Sequence, residues 1–289
     1  MVEEKKLVMK TNYHTHSTYC DGSNTPEEIV QVAISKGFTV LGFSSHSLFP
    51  FGTDWHMPPQ QFNTYREEIS FLQKKYKSQI EILCGLESDY LPPLTIPRKE
   101  NYKTMNLDYL IGSTHYVSTK QGWFTVDGST EEVAYGLNTL FKGNGKKLVQ
   151  KYFALQREMI QCGDFDIIGH ADVIRKRNSE LHFFDEKESW YKRELEATAK
   201  ELSKKGIIAE INTGGIARKV INDVYPSATF LQILHRYNVP ITINSDAHSA
   251  NDLDYAFDFA KKCAVSAGYK ETLCLKTTNK GLLWQPVPL

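Results

Sequence analysis

The stretch that most limits what this chain can become is His14-Thr15-His16, at the end of its first apolar run. In an extended strand, residues i and i+2 face the same side, so the two imidazoles converge at one strand end. Asp246-Ala247-His248 repeats the device after the last strong strand signal, residues 239–245. Between them, His46, Glu87, His115 and His170 each stand just beyond a short apolar run. One such histidine alone reads as a hydrogen-bonded structural residue. The whole set, recurring at one end of successive strands, reads as metal ligands of nitrogen and oxygen type.

The runs alternate with helical patterns. Strands are expected near 7–13, 38–43, 80–86, 107–112, 166–169, 206–211 and 239–245. Thr25-Pro26-Glu27-Glu28 is a helix start, with a hydroxyl cap, proline in the first turn and acids behind it. Ile29, Val30, Ala33 and Ile34 supply its apolar face, and Gly37 stops it. Further helices are expected over 60–76, 131–141, 146–161, 186–205, 228–237 and 252–267, with a short extra strand at 273–275. Residues 123–128 and 179–185 read as loops. The longer loop 47–59 carries Phe49, Phe51, Trp55 and Met57 and reads as a lid or as local packing. Near-continuous apolar strands alternating with helices indicate a parallel sheet covered by helices. Seven in one unbroken series favour an α/β, TIM-like barrel of mostly parallel strands. Every candidate ligand then lies at the C-terminal strand ends, where such barrels place their active sites. No linker or repeat divides the chain, so one domain over 1–289 is expected.

The chain has 34 basic and 34 acidic residues. This neutral balance argues against a nucleic-acid partner but not against a small phosphorylated substrate. Five cysteines, none in a CxxC spacing, make disulfides and thiolate zinc sites unlikely readings and fit a cytoplasmic protein. Neither a signal peptide nor an apolar run near the ~18 residues of a membrane span is visible.

The candidate ligands are His14, His16, Asp21, His46, Glu87, His115, His170, Asp246 and His248. One zinc ion takes about four, so the set implies two or three divalent ions with a bridging carboxylate. Glu87 is the natural bridge, because a carboxylate has two oxygens to share. Zn, Mn, Fe or Ni would suit these donors. Several ions together activate water and clamp the oxygens of an in-line displacement, which suits phosphoester hydrolysis and also amide hydrolysis. Arg175, and Arg218 after the Gly214-Gly215 turn, are candidates for phosphate contact. Arg177 and Lys219 read as solvated charges. His182 is a substrate-contact candidate or a packing residue. His56 and His235 read as structural, and Cys20 lacks a base to make it a nucleophile. Asp172 is a candidate to bind a water or the leaving group, or to orient a ligand.

The residues HTH at 14–16, Asp21, His46, Glu87, His115, His170 and Ser-Asp-Ala-His at 245–248 resemble the motif set of the polymerase-and-histidinol-phosphatase (PHP) superfamily, over roughly residues 12–249. Within it, HTHSTYCDGSNTPEE, GLESDY at 85–90, GSTHYV at 112–117, IGHADVIR at 168–175 and EINTGG at 210–215 look most like the monofunctional histidinol-phosphate phosphatases. The resemblance implies a distorted (β/α)7 barrel with a trinuclear site. One ion would take His14, His16, Glu87 and Asp246, a second Glu87, His115 and His170, and a third Asp21, His46 and His248. Some superfamily members carry a His near the position of Asp21, so the third ion's preference is open. The implied reaction is hydrolysis of L-histidinol phosphate, a late step of histidine biosynthesis. A metal-bridging hydroxide is the expected nucleophile, with Glu87, Asp246 and His248 in catalytic roles. His248 and Asp172 are candidates to protonate the leaving oxygen, and Asp54, Trp55 and Asp89 to read the amine and imidazole. Hydrolysis of another small phosphomonoester is the nearest alternative, an amidohydrolase the next, and a metal-loaded scaffold the last.

Overall fold

The computed structural model describes residues 9–289, so the first residues of the 7–13 strand signal lie outside it. In chain order the elements are β1 (Thr11–Asn12), α1 (Pro26–Ser35), β2 (Val40–Phe43), α2 (Phe62–Lys75), β3 (Glu81–Asp89) and β4 (Tyr109–Ser113). They continue with β5 (Tyr116–Thr119), β6 (Gly122–Thr125), α3 (Thr130–Phe141), α4 (Gly145–Cys162), β7 (Ile167–Ile168) and α5 (Asn178–Leu181). Then come α6 (Ser189–Lys205), β8 (Ile208–Asn212), α7 (Gly214–Ala217), α8 (Ala228–Arg236), β9 (Ile241–Asn244), α9 (Phe257–Ala267), β10 (Glu271–Thr278) and β11 (Gly281–Pro288).

Seven strands form one parallel sheet in the order β1-β2-β3-β4-β7-β8-β9. Its two edges meet. The backbone N–H of His16 donates to Ala247 O at 2.9 Å, and that of Ala247 donates to His14 O at 3.2 Å. Below this bridge, side chains replace the ladder. Asn244 Oδ1 accepts from the Tyr13 N–H, and Asn12 bonds both the hydroxyl and the backbone N–H of Ser245. The result is the nearly closed, distorted TIM-like barrel that the alternating pattern predicts.

The barrel interior explains the strand sequences. Val40, Leu83, Tyr109, Ile111, Ile167 and Ile208 alternate inward and pack with Tyr13 into a buried plug. Gly85 has no side chain because a Cβ there would stand 2.5 Å from the Tyr109 ring. Tyr109 in turn donates its hydroxyl to Tyr13 O at 2.6 Å and Phe43 O at 2.8 Å. The plug fills the N-terminal half of the barrel and leaves the C-terminal mouth to polar residues. Outside, a larger apolar cluster joins the strands to the helices. Helix α1 begins as expected, with a reciprocal capping box between Thr25 and Glu28.

Two hairpins depart from the expectations. The segment read as a loop at 123–128 is partly strand, pairing β6 with β5 beside the mouth. The extra strand at 273–275 is the centre of an eight-residue strand, and β11 pairs along it through Pro286 and Pro288. This second hairpin lays Leu275 and Trp284 against Tyr13, under the barrel floor. The last helix is also shorter than expected, starting at Phe257 after an isolated turn at Ala250–Asp252.

Candidate metal centre

Strand ends carry the candidate ligands to one mouth. His14 and His16 leave β1, His46 leaves β2, Glu87 lies within β3, His115 follows β4, His170 follows β7, and Asp246 and His248 follow β9. Asp21 arrives on the loop between β1 and α1. Two of these residues turn through left-handed backbone, with φ of 22° at His170 and 51° at Asp246. Such conformations cost roughly 1–3 kcal/mol and persist where surrounding structure enforces them.

Three groups of ligand atoms form. Around one point, His14 Nε2 stands 3.1 Å from Glu87 Oε2, and His16 Nε2 stands 3.2 Å from Asp246 Oδ1. Beside it, His170 Nε2 lies 3.0 Å and His115 Nε2 3.5 Å from Glu87 Oε1, while His46 Nδ1 lies 3.1 Å from Glu87 Oε2. A third group sets Asp21 Oδ2 3.2 Å from His248 Nε2 and Asp21 Oδ1 3.8 Å from His46 Nε2. Glu87 stands between the first two groups, and His46 faces both the second and the third. All nine candidate ligands therefore gather.

The donor set suits divalent cations. His14 Nε2, His16 Nε2, His46 Nδ1 and Glu87 Oε2 are buried and have no hydrogen-bond partner among protein atoms. Leaving such groups unsatisfied costs about 1–3 kcal/mol each, and four lone pairs aimed at shared points can be satisfied together by cations. The protein charges are arranged accordingly. Burial opposes the charges of Glu87 and Asp246. Even so, His14 and neighbouring imidazoles hold Glu87 well below the usual carboxylate range, and Arg218 with His14 does the same for Asp246. Burial and the neighbouring His16 push His46 down to about 3, so its ring offers a lone pair.

Supporting residues fix the ligands: Glu210, which the sequence reading does not single out, and Asp89, which it nominates for substrate instead. Glu210 is buried and sits 2.9 Å from His14 Nδ1. It also accepts from the His170 N–H at 2.7 Å, Asn212 Nδ2 at 2.8 Å and Asn244 Nδ2 at 2.9 Å. A ligand histidine whose second nitrogen meets a carboxylate is fixed in tautomer and orientation. Asp89 does this for His115 Nδ1 at 2.5 Å. Its other oxygen lies 2.6 Å from His56 Nε2, and Thr53 Oγ1 lies 2.7 Å from His56 Nδ1. His56, read from sequence as structural, thus ties the loop 47–59 to a ligand. That loop roofs the site: Trp55 crosses the His46 ring at 4.6 Å and the His115 ring at 5.3 Å, both edge to face.

A cavity of about 410 Å³ opens over the centre. Arg218 lines it, donating to Asp246 Oδ2 at 2.8 Å and lying 3.0 Å from His248 Nδ1, with about a third of its side chain exposed (35%). Two other expected substrate contacts lie elsewhere. Arg175 is buried against Asp172, Glu186 and Asp223, which occupy its guanidinium, and it does not line the cavity. His182 is exposed beyond the C-terminal end of α5, also outside the cavity lining. Asp172 faces away as well, accepting the Ser227 N–H and pairing with Arg175.

A parallel α/β barrel with this mouth defines a metal-dependent hydrolytic enzyme of the barrel type. The PHP domain family model matches residues 12–214, and the chain belongs to that family. A Deinococcus radiodurans protein named "Probable histidinol-phosphatase" is 26% identical over 252 residues, covering 86% of this chain and 90% of that one. A solved histidinol-phosphatase candidate from Listeria monocytogenes has the same fold, with a TM-score of 0.75 and 20% identity over 86% of this chain and 99% of that one. The histidinol phosphate phosphatase of Lactococcus lactis, solved with Zn, L-histidinol and phosphate, is similar at a TM-score of 0.65 and 21% identity, over 92% and 96% of the two chains.

Proposed function

We propose that this chain, as one PHP-type domain over residues 1–289, hydrolyses L-histidinol phosphate to L-histidinol and phosphate in histidine biosynthesis. The observation that carries the reading is the convergence of unpartnered ligand atoms around Glu87, within a chain of the PHP family. The Deinococcus relative's name and the ligands of the Lactococcus structure support the substrate. That structure's zinc supports zinc here over manganese or iron.

His14, His16, Glu87 and Asp246 would hold one ion, Glu87, His115 and His170 a second, and Asp21, His46 and His248 a third. Ions held there supply an activated hydroxide and positive charge for the phosphoryl oxygens. The protein's own groups do the rest. Glu87 and Asp246 stay ionised, Glu210 and Asp89 hold the ligand rings in register, and Arg218 offers N–H donors at the mouth, where a phosphoryl group gains charge. Trp55 and the loop 47–59 restrict water over the centre. No helix of the described residues is long and apolar enough to cross a membrane.

The test is phosphate release by purified, zinc-loaded protein across a panel of phosphomonoesters, with metal content measured alongside. L-histidinol phosphate should exceed nucleoside monophosphates and sugar phosphates at least tenfold in kcat/KM. An equal or faster rate on those alternatives would overturn the substrate.

A further inference from the structure

Apart from the candidate ligands, the charged side chains lining the cavity are Asp127, Glu132, Lys176 and Arg218. Arg218 is tied to Asp246 at the metal side. The other three belong to the β6–α3 connection, to α3 and to the segment after β7. Glu132 accepts from the hydroxyl of Thr125 at 2.5 Å. Lys176 Nζ stands 3.6 Å from Asp127 Oδ2, beyond hydrogen-bond length. Asp127 accepts no side-chain hydrogen bond among the described residues, although three-quarters of its side chain is buried (26% exposed). Two carboxylates and one ammonium give these three side chains a formal charge of −1, in the same cavity as Arg218 and the candidate ligands.

The carboxylates that sequence reasoning nominated for the amine are not placed for it. Asp89 is buried with its oxygens engaged by His115 and His56. Asp54 is exposed and does not line the cavity. We propose that Asp127 reads the ammonium group of the substrate, so that the cavity selects phosphomonoesters carrying a cation a few bonds from the ester oxygen. This rests on the histidinol phosphate reading. The phosphate then meets Arg218 and the ions, and the ammonium meets Asp127. A sugar phosphate brings no cation to the carboxylate, and a second phosphate group would be repelled by it.

The experiment compares kcat/KM for L-histidinol phosphate with that for its deamino analogue, 3-(imidazol-4-yl)propyl phosphate, in zinc-loaded wild type, Asp127→Asn and Lys176→Met. The preference for the amine-bearing substrate should be large in wild type and fall about tenfold to hundredfold in Asp127→Asn, the range expected for one charged hydrogen bond. Lys176→Met removes a competing cation and should raise the preference. Equal losses on both substrates in Asp127→Asn, with metal content unchanged, would overturn the assignment, as would a wild type indifferent to the amine. A wild type that hydrolyses p-nitrophenyl phosphate but neither imidazole substrate overturns the substrate reading itself, a distinct result.

Discussion

Replacing Glu210 by Gln should damage the metal centre without touching a ligand, and the structure says how. The substitution is isosteric, but both carboxylate oxygens already face donors. Oε1 receives the His170 N–H and the Asn212 amide, while Oε2 receives Asn244 Nδ2 and lies 2.9 Å from His14 Nδ1. The backbone N–H of His170 cannot invert. The new amide must therefore keep its oxygen on that side and turn its NH2 toward Asn244 and His14. The Asn244 amide can flip to accept. His14 Nδ1 lies 2.9 Å from Oε2 and 3.1 Å from Oε1, so its N–H keeps only the longer contact, to a neutral amide oxygen, while the NH2 faces it at the shorter one. The ring whose Nε2 faces Glu87 and Asp246 loses its charged partner. The variant thus loosens the ring orientation and lowers the basicity that suit His14 Nε2 to metal. Losing such a carboxylate partner typically weakens metal binding about 10–100-fold, which is ~1.4–2.8 kcal/mol.

The assay is the zinc affinity of metal-free protein, measured by competition with a chromophoric chelator. Thermal unfolding of that protein reports whether the fold survives. Activity should recover when excess zinc is supplied, because no ligand has been removed. A zinc affinity within about threefold of wild type would refute the reasoning.

Three further outcomes follow from the same geometry. Glu87→Gln removes the carboxylate that faces five imidazoles, so turnover should fall at least about hundredfold with loss of bound metal; near-normal activity with full metal content excludes the bridging role. Arg175→Met leaves Asp172 buried and unpaired, while Glu186 and Asp223 reach water, so denaturant unfolding should show a loss near ~3 kcal/mol. The folded fraction should keep its kcat/KM within a few-fold, and a hundredfold loss without destabilisation would return Arg175 to the substrate. Burial opposes a charge on His115, but Asp89 and Glu87 outweigh it and raise its pKa to about 10. Because the folded value lies above the unfolded one, this group stabilises the metal-free fold fully below about pH 6.5, and that stability fades as pH rises through about 10. Zinc must displace the same proton, so calorimetry at pH 7 in buffers of different ionisation enthalpy should detect proton release, and its absence would remove His115 from the ligand set.

The ligands were legible because strand geometry repeats. A histidine or carboxylate at the end of an apolar run has one place to go in a parallel barrel, and six of the seven barrel strands place eight of the nine candidate ligands there, Asp21 coming from the loop after β1. The same geometry contained an unused signal. Glu210 and Asn212 are i and i+2 in a strand buried on both faces, as are Glu87 and Asp89. A charge inside such a strand must meet a partner, since burying it unpaired is costly. The first residue of each pair therefore implies polar company at the next inward position. Read that way, Glu210 requires a donor on a neighbouring strand, and Asn244, in register beside Asn212 on β9, supplies one. Arg175 shows where strand geometry gives no guidance. It follows its strand by several residues, on a connection whose path the period of two does not govern, and it turned to Asp172, Glu186 and Asp223 rather than to the mouth. Arg218 also stands on a connection, but the short helix α7 begins directly after β8, and the arginine just beyond it turns back to Asp246 and His248 at the rim. Chain distance does not separate the two, since Arg175 follows β7 by seven residues and Arg218 follows β8 by six; the carboxylates that hold each guanidinium do, Asp246 at the rim for Arg218 and Asp172, Glu186 and Asp223 away from it for Arg175.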